Sequence, residues 1–246
     1  MFGSTFVLRD RRGLRYRIEY GEPFSRLAGV PWWLREFTDD PGMLAYLERT
    51  LRPGDVVVDV GASIGVVALL AARLGCRVAA IEAERANYER LCANIALNQL
   101  HVAPFHLAIA DRRGLAELYV FPPGRRGHHS LAPDAAATAK QAVECTTIDD
   151  FLAREGIERV DLLKIDVEGA EPEAFAGAAE ALARAAIRKI VFEVSREPLV
   201  RMGHRVEDVV EPLRAAGYSI RSFGGEEIAG APEWRFANLV ALAPGL

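Results

Sequence analysis

The chain has 246 residues, of which 50% are hydrophobic and 26% charged, as in an ordinary soluble protein with a sizeable core. A net charge of −4 and an isoelectric point near 5.8 give no overall electrostatic reason to expect a nucleic-acid partner. Its three scattered cysteines argue against a disulfide framework or a zinc site. No apolar run reaches the roughly 18 residues of a membrane span. We therefore expect a cytoplasmic protein without a membrane or nucleic-acid partner.

Residues 1–50 are predicted to form an extension packed on a main domain of residues 51–246. Within the extension, residues 6–8 and 14–20 are typical of two strands joined by a turn. Residues 38–41 are predicted to cap a helix that runs into the main domain. The arginines of this extension are interpreted mainly as a solvated face, with a patch for an anionic substrate or partner as the alternative.

Residues 55–65, DVVVDVGASIG, predict a strand, a tight turn and a helix. Gly61 and Gly65 leave room for a ligand to approach the backbone, and the N–H groups at the start of the helix point to the same place. These features indicate a nucleotide-like ligand. An ordinary turn in an α/β protein is the alternative.

The spacing of this turn differs from that of a dinucleotide site. Such a site has three glycines, whereas here Ser63 stands between the two glycines and Asp59 precedes the first. A carboxylate at this position suits a cationic ligand better than a pyrophosphate. The turn resembles motif I of the class I S-adenosylmethionine-dependent methyltransferases, and the resemblance assigns Asp59, Gly61, Ala62, Ser63 and Gly65 to the cofactor site.

A second acidic residue follows the next predicted strand, residues 77–81. Glu82 ends that strand on the side where ligands bind in parallel sheets, so its carboxylate can accept hydrogen bonds from both ribose hydroxyls. A solvent-exposed glutamate is the alternative. Ala83 follows it and is placed in the same site. A helix over residues 84–97 comes next, with Asn94 and Asn98 interpreted as groups that cap its end.

Residues 102–109 are predicted to form a third strand. Ala108 and Ile109, at its end, allow an adenine ring to lie flat, with Asp111 or a nearby backbone group accepting from its amino group. A simple turn over residues 111–114 fits equally well. Residues 115–121 alternate as an extra strand.

Residues 122–141 show no periodicity and are predicted to be a long loop over the site that acts as a lid. His128 and His129 lie in this loop. His129 is a candidate base, with an exposed histidine on a mobile loop as the alternative.

The stretch KIDVEGAE, residues 164–171, follows a fourth buried strand and places Asp166 at the edge where reacting groups gather. Lys164 alternates onto the same sheet face as Asp166, where it is either a catalytic group or a paired charge inside the domain. Glu171 precedes Pro172 and is interpreted as a residue that caps a helix. Residues 187–194 predict a fifth strand that ends near Glu193 at the same edge.

Three further elements complete the predicted domain. Residues 206–216 predict a helix that stops at Gly217. Residues 218–223 and 236–242 predict a closing antiparallel pair.

Together these segments resemble the FkbM family of S-adenosylmethionine-dependent methyltransferases. The segments are VVVDVGASIG, IEAERANYERLCANIALN, TTIDDFL, LLKIDVEGAEPEAFAGA and IVFEVS. The resemblance implies an α/β, Rossmann-like doubly wound sheet of seven strands, mostly parallel with an antiparallel last strand. It also implies S-adenosylmethionine as cofactor and O-methylation of a small hydroxylated acceptor, a secondary metabolite or a sugar.

The reaction needs an acceptor oxygen held in line with the activated methyl group and the removal of one proton. Asp166 is the first candidate for holding the acceptor, it also borders the cofactor, and a structural hydrogen bond is its alternative role. The other catalytic candidates are Glu168, Lys164, Glu193 and His129. Asp166, Glu168, Glu171 and Glu193 together offer oxygen donors to a divalent cation, but no metal is assigned.

Two other functions remain open from the sequence. An NAD(P)-dependent oxidoreductase would share the strand, the turn and the terminal acid, although the full glycine fingerprint is absent. A catalytically silent partner protein that binds the cofactor is the other. N-methylation of an amine is a variant of the main prediction, and a homodimer is an open expectation.

Overall fold

The computed structural model of the chain describes residues 5–9, 15–19, 42–121, 129–230 and 234–246. Their strands are β1 (Thr5–Arg9), β2 (Arg15–Glu19), β3 (Val56–Val60), β4 (Arg77–Glu82), β5 (Val102–His106), β6 (Ala108–Ile109), β7 (Gly114–Val120), β8 (Ala139–Thr146), β9 (Leu162–Ile165), β10 (Lys189–Ser195), β11 (Ser219–Arg221) and β12 (Phe236–Leu242). Their helices are α1 (Met43–Thr50), α2 (Val66–Arg73), α3 (Arg85–Asn98), α4 (Ile148–Arg154), α5 (Glu171–Ala176), α6 (Ala179–Ala183), α7 (Arg196–Met202) and α8 (Val206–Ala215).

The centre of the fold is a seven-stranded sheet with the order β11-β12-β10-β9-β3-β4-β5. The strands from β10 to β5 pair in parallel, and β12 runs antiparallel to both of its neighbours. The central strands are short apolar runs, as expected when both faces of a parallel sheet are covered. The predicted α/β fold, with seven strands and an antiparallel last strand, is confirmed.

Two hydrophobic cores cover the two faces of this sheet. On one face, Phe151 of α4, Phe175 of α5 and Val209 of α8 are almost fully buried. On the other face, Leu47 of α1 and Leu70 of α2 are fully buried. The sheet is therefore doubly wound, and the carboxyl ends of its parallel strands form one common edge.

The predicted third strand, residues 102–109, is two separate strands. β5 belongs to the main sheet, whereas β6 pairs with β8 in a second sheet of order β6-β8-β7. The predicted loop over residues 122–141 is also too long, because β8 begins at Ala139. The first residues of β8, Ala-Lys-Gln, lack the β-branched and aromatic side chains that mark a strand, so the pairing with β7 decides its conformation.

The extension contributes an antiparallel pair, β1 with β2, as predicted. Ile18 of β2 is buried in the core beside α2. The Asn98 side chain donates to the Asn94 carbonyl in the last turn of α3, as expected of an end-capping group, and it also accepts from the Arg17 N–H at 2.6 Å and donates to the Arg17 carbonyl. α1 begins at Met43 without a side-chain cap, and the predicted capping residues lie outside the described part. The division of the chain at residue 50 stays a prediction.

Among the described residues, every helix is too short or too polar to span a lipid bilayer.

Candidate active site

The glycine turn lies between β3 and α2 and is held by the neighbouring strand. The N–H groups of Gly61 and Ala62 both donate to the Ile81 carbonyl, at 3.0 and 2.9 Å. Gly61 has a φ of +73° and Ser63 a φ of +50°. A Cβ on Gly61 would lie 1.8 Å from the carbonyl oxygen of Asp166. Gly61 is therefore needed because the backbone that follows β9 packs against it. The sequence predicted this glycine for a different reason, the close approach of a ligand.

Gly65 has a similar packing role. A Cβ there would lie 2.7 Å from the side chain of Leu91 on α3. Asn94, also on α3, donates to the Ile64 carbonyl at 2.8 Å and fixes the turn from that side. The two glycines thus bring the turn close to its protein neighbours, and the backbone of residues 62–64 faces the strand edge between them.

Glu82 ends β4 beside this turn, as predicted. Its carboxylate accepts from the Ser63 N–H at 2.7 Å and from the Glu84 N–H at 2.8 Å. The residue is only 6% exposed, and burial raises the pKa of Glu82 to about 7, although the two N–H donors oppose the rise. Glu82 is therefore not the solvent-exposed glutamate of the alternative interpretation. Its remaining lone pairs suit a pair of ribose hydroxyls.

The proposed adenine region is formed by small buried residues. Ala108 and Ile109 are buried and pair with β8, and Ala83 packs on the same cluster as Ala108. Asp111 is exposed and forms an ion pair with Arg112 at 2.9 Å. The place of Ala83, Ala108 and Ile109 beside an adenine ring stays a prediction, while Asp111 fits the turn interpretation better.

Lys164 lies at the centre of a buried charged group. Its Nζ atom lies 3.5 Å from Asp59 and 3.3 Å from Asp166, and it donates to the Gly61 carbonyl at 2.8 Å. Burial alone would lower the pKa of Lys164, but the Asp166 and Asp59 carboxylates raise it above its ordinary value. Lys164 is thus the paired charge that one sequence interpretation expected.

Asp59 is fully buried behind the turn. Burial raises the pKa of Asp59, and Lys164 opposes that rise. Its carboxylate has no exposed surface in this conformation. A cationic ligand therefore cannot contact Asp59 directly, although the sequence analysis expected such a contact. Its place among the cofactor residues stays a prediction.

The turn after β9 presents Glu168 with a φ of +52°, which is unusual for a residue other than glycine. Glu171 stabilises this turn, because its carboxylate accepts from the N–H groups of Val167 at 3.1 Å and Gly169 at 3.0 Å. Burial raises the pKa of Glu171 to about 8. Glu171 thus holds the turn before α5, and the N-cap of α5 is Ala170, so the predicted capping role was wrong.

Three carboxylates meet at the edge of the sheet. Oxygen atoms of Asp166, Glu168 and Glu193 lie within 4.8 Å of one another. Burial, followed by the like charges of Asp166, Glu168 and Glu171, raises the pKa of Glu193 to about 10. The structure therefore brings together the main catalytic candidates of the sequence. These three residues are also the ones that could hold a hard divalent cation.

The segment between β7 and β8 contacts this acidic turn. His129 Nδ1 accepts from the Phe121 N–H at 3.1 Å, so its proton is on Nε2 in the neutral ring. The next residue, Ser130, is buried and its Oγ donates to the Glu168 carbonyl. Ser130 was missed because one serine in an irregular segment gives no pattern. His129 as a base stays a prediction, and His128 lies outside the described residues.

Comparison with known protein families identifies the part of the chain that carries the glycine turn, Glu82 and the acidic stretch after β9. Residues 59–220 match the model of the methyltransferase FkbM domain. The chain belongs to the FkbM methyltransferase family. Its cofactor is S-adenosylmethionine. The Glu82 carboxylate and the small residues beside it fit an adenosine group. The oxidoreductase alternative is therefore wrong.

Several characterised proteins are similar to this FkbM-family chain. The 31-O-demethyl-FK506 methyltransferase FkbM of Streptomyces tacrolimicus is 30% identical, and the match covers 72% of this chain and 80% of the relative. The hexuronic acid methyltransferase AglP of Haloferax volcanii is 26% identical and is matched over 61% of each chain.

A solved structure also resembles the fold. It is the 16S rRNA N2 G1207 methyltransferase RsmC of T. thermophilus in complex with AdoMet and guanosine, with a TM-score of 0.52 and 17% sequence identity. The match covers 99% of this chain but only 51% of that one. At this identity the likeness concerns the fold alone.

Proposed function

We propose that the protein transfers a methyl group from S-adenosylmethionine to a hydroxyl oxygen of a small molecule, a secondary metabolite or a sugar. The observation that carries the proposal is the cluster of Asp166, Glu168 and Glu193 at the sheet edge. The cluster lies directly beside the glycine turn, because the Asp166 carbonyl packs against Gly61. A neutral hydroxylated acceptor fits there, since carboxylates accept hydrogen bonds from hydroxyl groups.

S-adenosylmethionine supplies a methyl group that is already activated for transfer. The protein has to orient the acceptor oxygen and receive its proton. Asp166 is the best placed residue for both tasks, because it follows β9 directly beside Gly61, its side chain is 23% exposed, and the Lys164 Nζ atom at 3.3 Å fixes its position. Glu168 and Glu193 then orient the acceptor by hydrogen bonds, or they exclude negatively charged compounds from the acceptor site. Glu82 and the backbone of the glycine turn hold the cofactor.

The named relatives support a small acceptor, since one has 31-O-demethyl-FK506 and another hexuronic acid in its name. The charge of the site also argues against a polyanion. The acidic residues Asp166 and Glu168 face the proposed acceptor region, and the adjacent buried cation, Lys164, is already paired. An RNA phosphate would meet repulsion there, although folds of this kind also occur in enzymes that act on RNA.

Two successive measurements test the proposed function. Calorimetric titration with S-adenosylhomocysteine, with NAD and NADP in parallel, first establishes that the purified protein binds its cofactor. A mass-spectrometric screen then compares neutral polyhydroxylated compounds, their amino analogues and a short RNA as acceptors. We expect methylation of a hydroxyl compound that decreases strongly in Asp166→Asn. Methylation of the amines or the RNA alone would refute O-methylation of a small molecule, and cofactor binding without any transfer would favour a silent partner protein.

A further inference from the structure

Lys164 connects the two halves of the site through a single atom. Its Nζ donates to the Gly61 carbonyl at 2.8 Å, in the cofactor turn, and lies 3.3 Å from Asp166 on the acceptor side. The side chain is only 4% exposed, and the Asp59 carboxylate behind it is completely buried. Neither oxygen of Asp59 makes a hydrogen bond of normal geometry among the described residues. Lys164 is thus the cation that faces Asp59.

We propose that Lys164 is a positioning residue of the cofactor site, which sets the affinity for S-adenosylmethionine by fixing the Gly61 carbonyl. The Gly61 and Ala62 N–H groups are both bound to the Ile81 carbonyl, so the Gly61–Ala62 peptide is held by β4 on its N–H side and by Lys164 on its carbonyl side. The turn then continues to Ser63, whose N–H meets the Glu82 carboxylate at 2.7 Å. Without Lys164 the Ala62 N–H alone would hold this peptide, and a tilt of its plane would move Ser63 away from Glu82.

The same ammonium group has a second role that must be separated from the first. It neutralises Asp59, and loss of one partner of a buried ion pair is strongly destabilising because the other charge remains unpaired. A neutral residue at position 164 would therefore lower stability even if it had no influence on the cofactor. Removing the charge of Asp59 as well restores the charge balance but does not restore the donor to Gly61.

The experiment measures the affinity for S-adenosylhomocysteine by calorimetry and the melting temperature of four proteins: wild type, Lys164→Met, Asp59→Asn and the double variant. We expect Lys164→Met to lower the melting temperature by about 10 °C and to weaken binding at least about tenfold. The double variant should regain most of the melting temperature, yet bind at least about tenfold more weakly than Asp59→Asn. Lys140→Met is the control, because Lys140 is exposed and pairs with Glu117 on the second sheet.

The outcomes separate the two roles of Lys164. If the double variant binds as tightly as Asp59→Asn, Lys164 only balances charge and the proposal is wrong. Unchanged binding by Lys164→Met would also refute it. Should Lys164→Met fail to fold, the double variant and Asp59→Asn decide alone. Since no acceptor takes part, the result does not depend on whether the enzyme methylates a hydroxyl.

Discussion

The cofactor half and the acceptor half of the site are built in different ways. The proposed cofactor half comes mainly from the stretch between Asp59 near the end of β3 and Ala83 after β4, with Ala108 and Ile109 of β6 beside it, and two backbone N–H groups hold the Glu82 carboxylate in place. The acceptor half combines Asp166, Glu168 and Glu193 from two strands and their following turns. These acidic groups are held close together, and burial, followed by the charges of Asp166 and Glu168, raises the pKa of Glu193.

Substitutions in the two halves should therefore impair the protein for different reasons. In the cofactor half the geometry is set by tight backbone packing, so a small steric change should be severe. In the acceptor half the geometry is set by the surrounding turns, while the charges themselves cost stability. Four predictions follow this distinction, and each is assigned to one half.

The largest effect is expected from Gly61→Ala. Its Cβ would lie 1.8 Å from the Asp166 carbonyl oxygen, so the turn or β9 must move. We expect a loss of more than about 4 kcal/mol in the free energy of unfolding, measured by chemical denaturation. Gly54→Ala is the control, because Gly54 also has a positive φ, +91°, but nothing lies within 4 Å of its Cβ. It should cost only about 1–2 kcal/mol. Equal losses would show that the backbone conformation alone matters.

Asp166→Asn tests the acceptor half. We expect about 100-fold slower turnover, the size of effect typical for loss of a general base, with a much smaller change in cofactor affinity. Both are measured on the same protein, by methyl transfer and by calorimetry. Asp161→Asn is the control, because Asp161 is a buried aspartate at the opposite end of β9, where its carboxylate accepts from the Val56 N–H. Equal losses of turnover and cofactor affinity would place Asp166 with the cofactor instead.

Glu82→Gln tests the cofactor half and its pH dependence. Because burial raises the pKa of Glu82 to about 7, the free protein must release a proton before Glu82 can accept from both ribose hydroxyls. The affinity of the wild type for S-adenosylhomocysteine should therefore rise from pH 6 to pH 8 and then level off. Glu82→Gln should bind about tenfold more weakly and lose this pH dependence. Exposed Glu89 provides the control variant, Glu89→Gln, and a pH profile unchanged by Glu82→Gln would contradict the assignment.

The smallest effect concerns the stability of the acceptor half. The pKa of Glu193 is raised from 4.5 to about 10, so the folded protein keeps a proton that the unfolded chain releases. Its stabilising contribution is complete below about pH 4.5 and is lost as the pH rises toward 10. Glu193→Gln cannot ionise and should melt at least a few degrees higher than wild type at pH 9, but not at pH 5.

The control for that experiment is Glu197→Gln, because the Glu197 side chain is 88% exposed. Its melting temperature should follow that of wild type at both values of pH. A Glu193→Gln protein that also follows wild type at pH 9 would show that Glu193 ionises without cost in the folded state.

Most of the main sheet was predictable because its strands are short apolar runs. The positions of Glu82 and Asp166 at strand ends followed directly from those runs. The second sheet was less predictable, since β8 begins with residues of low strand propensity and is stabilised by pairing with β7. α7 was missed as well, and Pro198 lies within its first turn, where the pattern indicated no helix.

Local patterns were enough to predict the succession of strands and turns in the main sheet, the glycine turn and the carboxylates at the strand ends, because these depend on residues close together in the chain. The folded structure was needed to show which carboxylates meet, that Lys164 bonds to the Gly61 carbonyl and that Ser130 supports the Glu168 turn. Such contacts join residues far apart in sequence. They depend on the register and packing of whole strands, and a local sequence pattern contains no information on either.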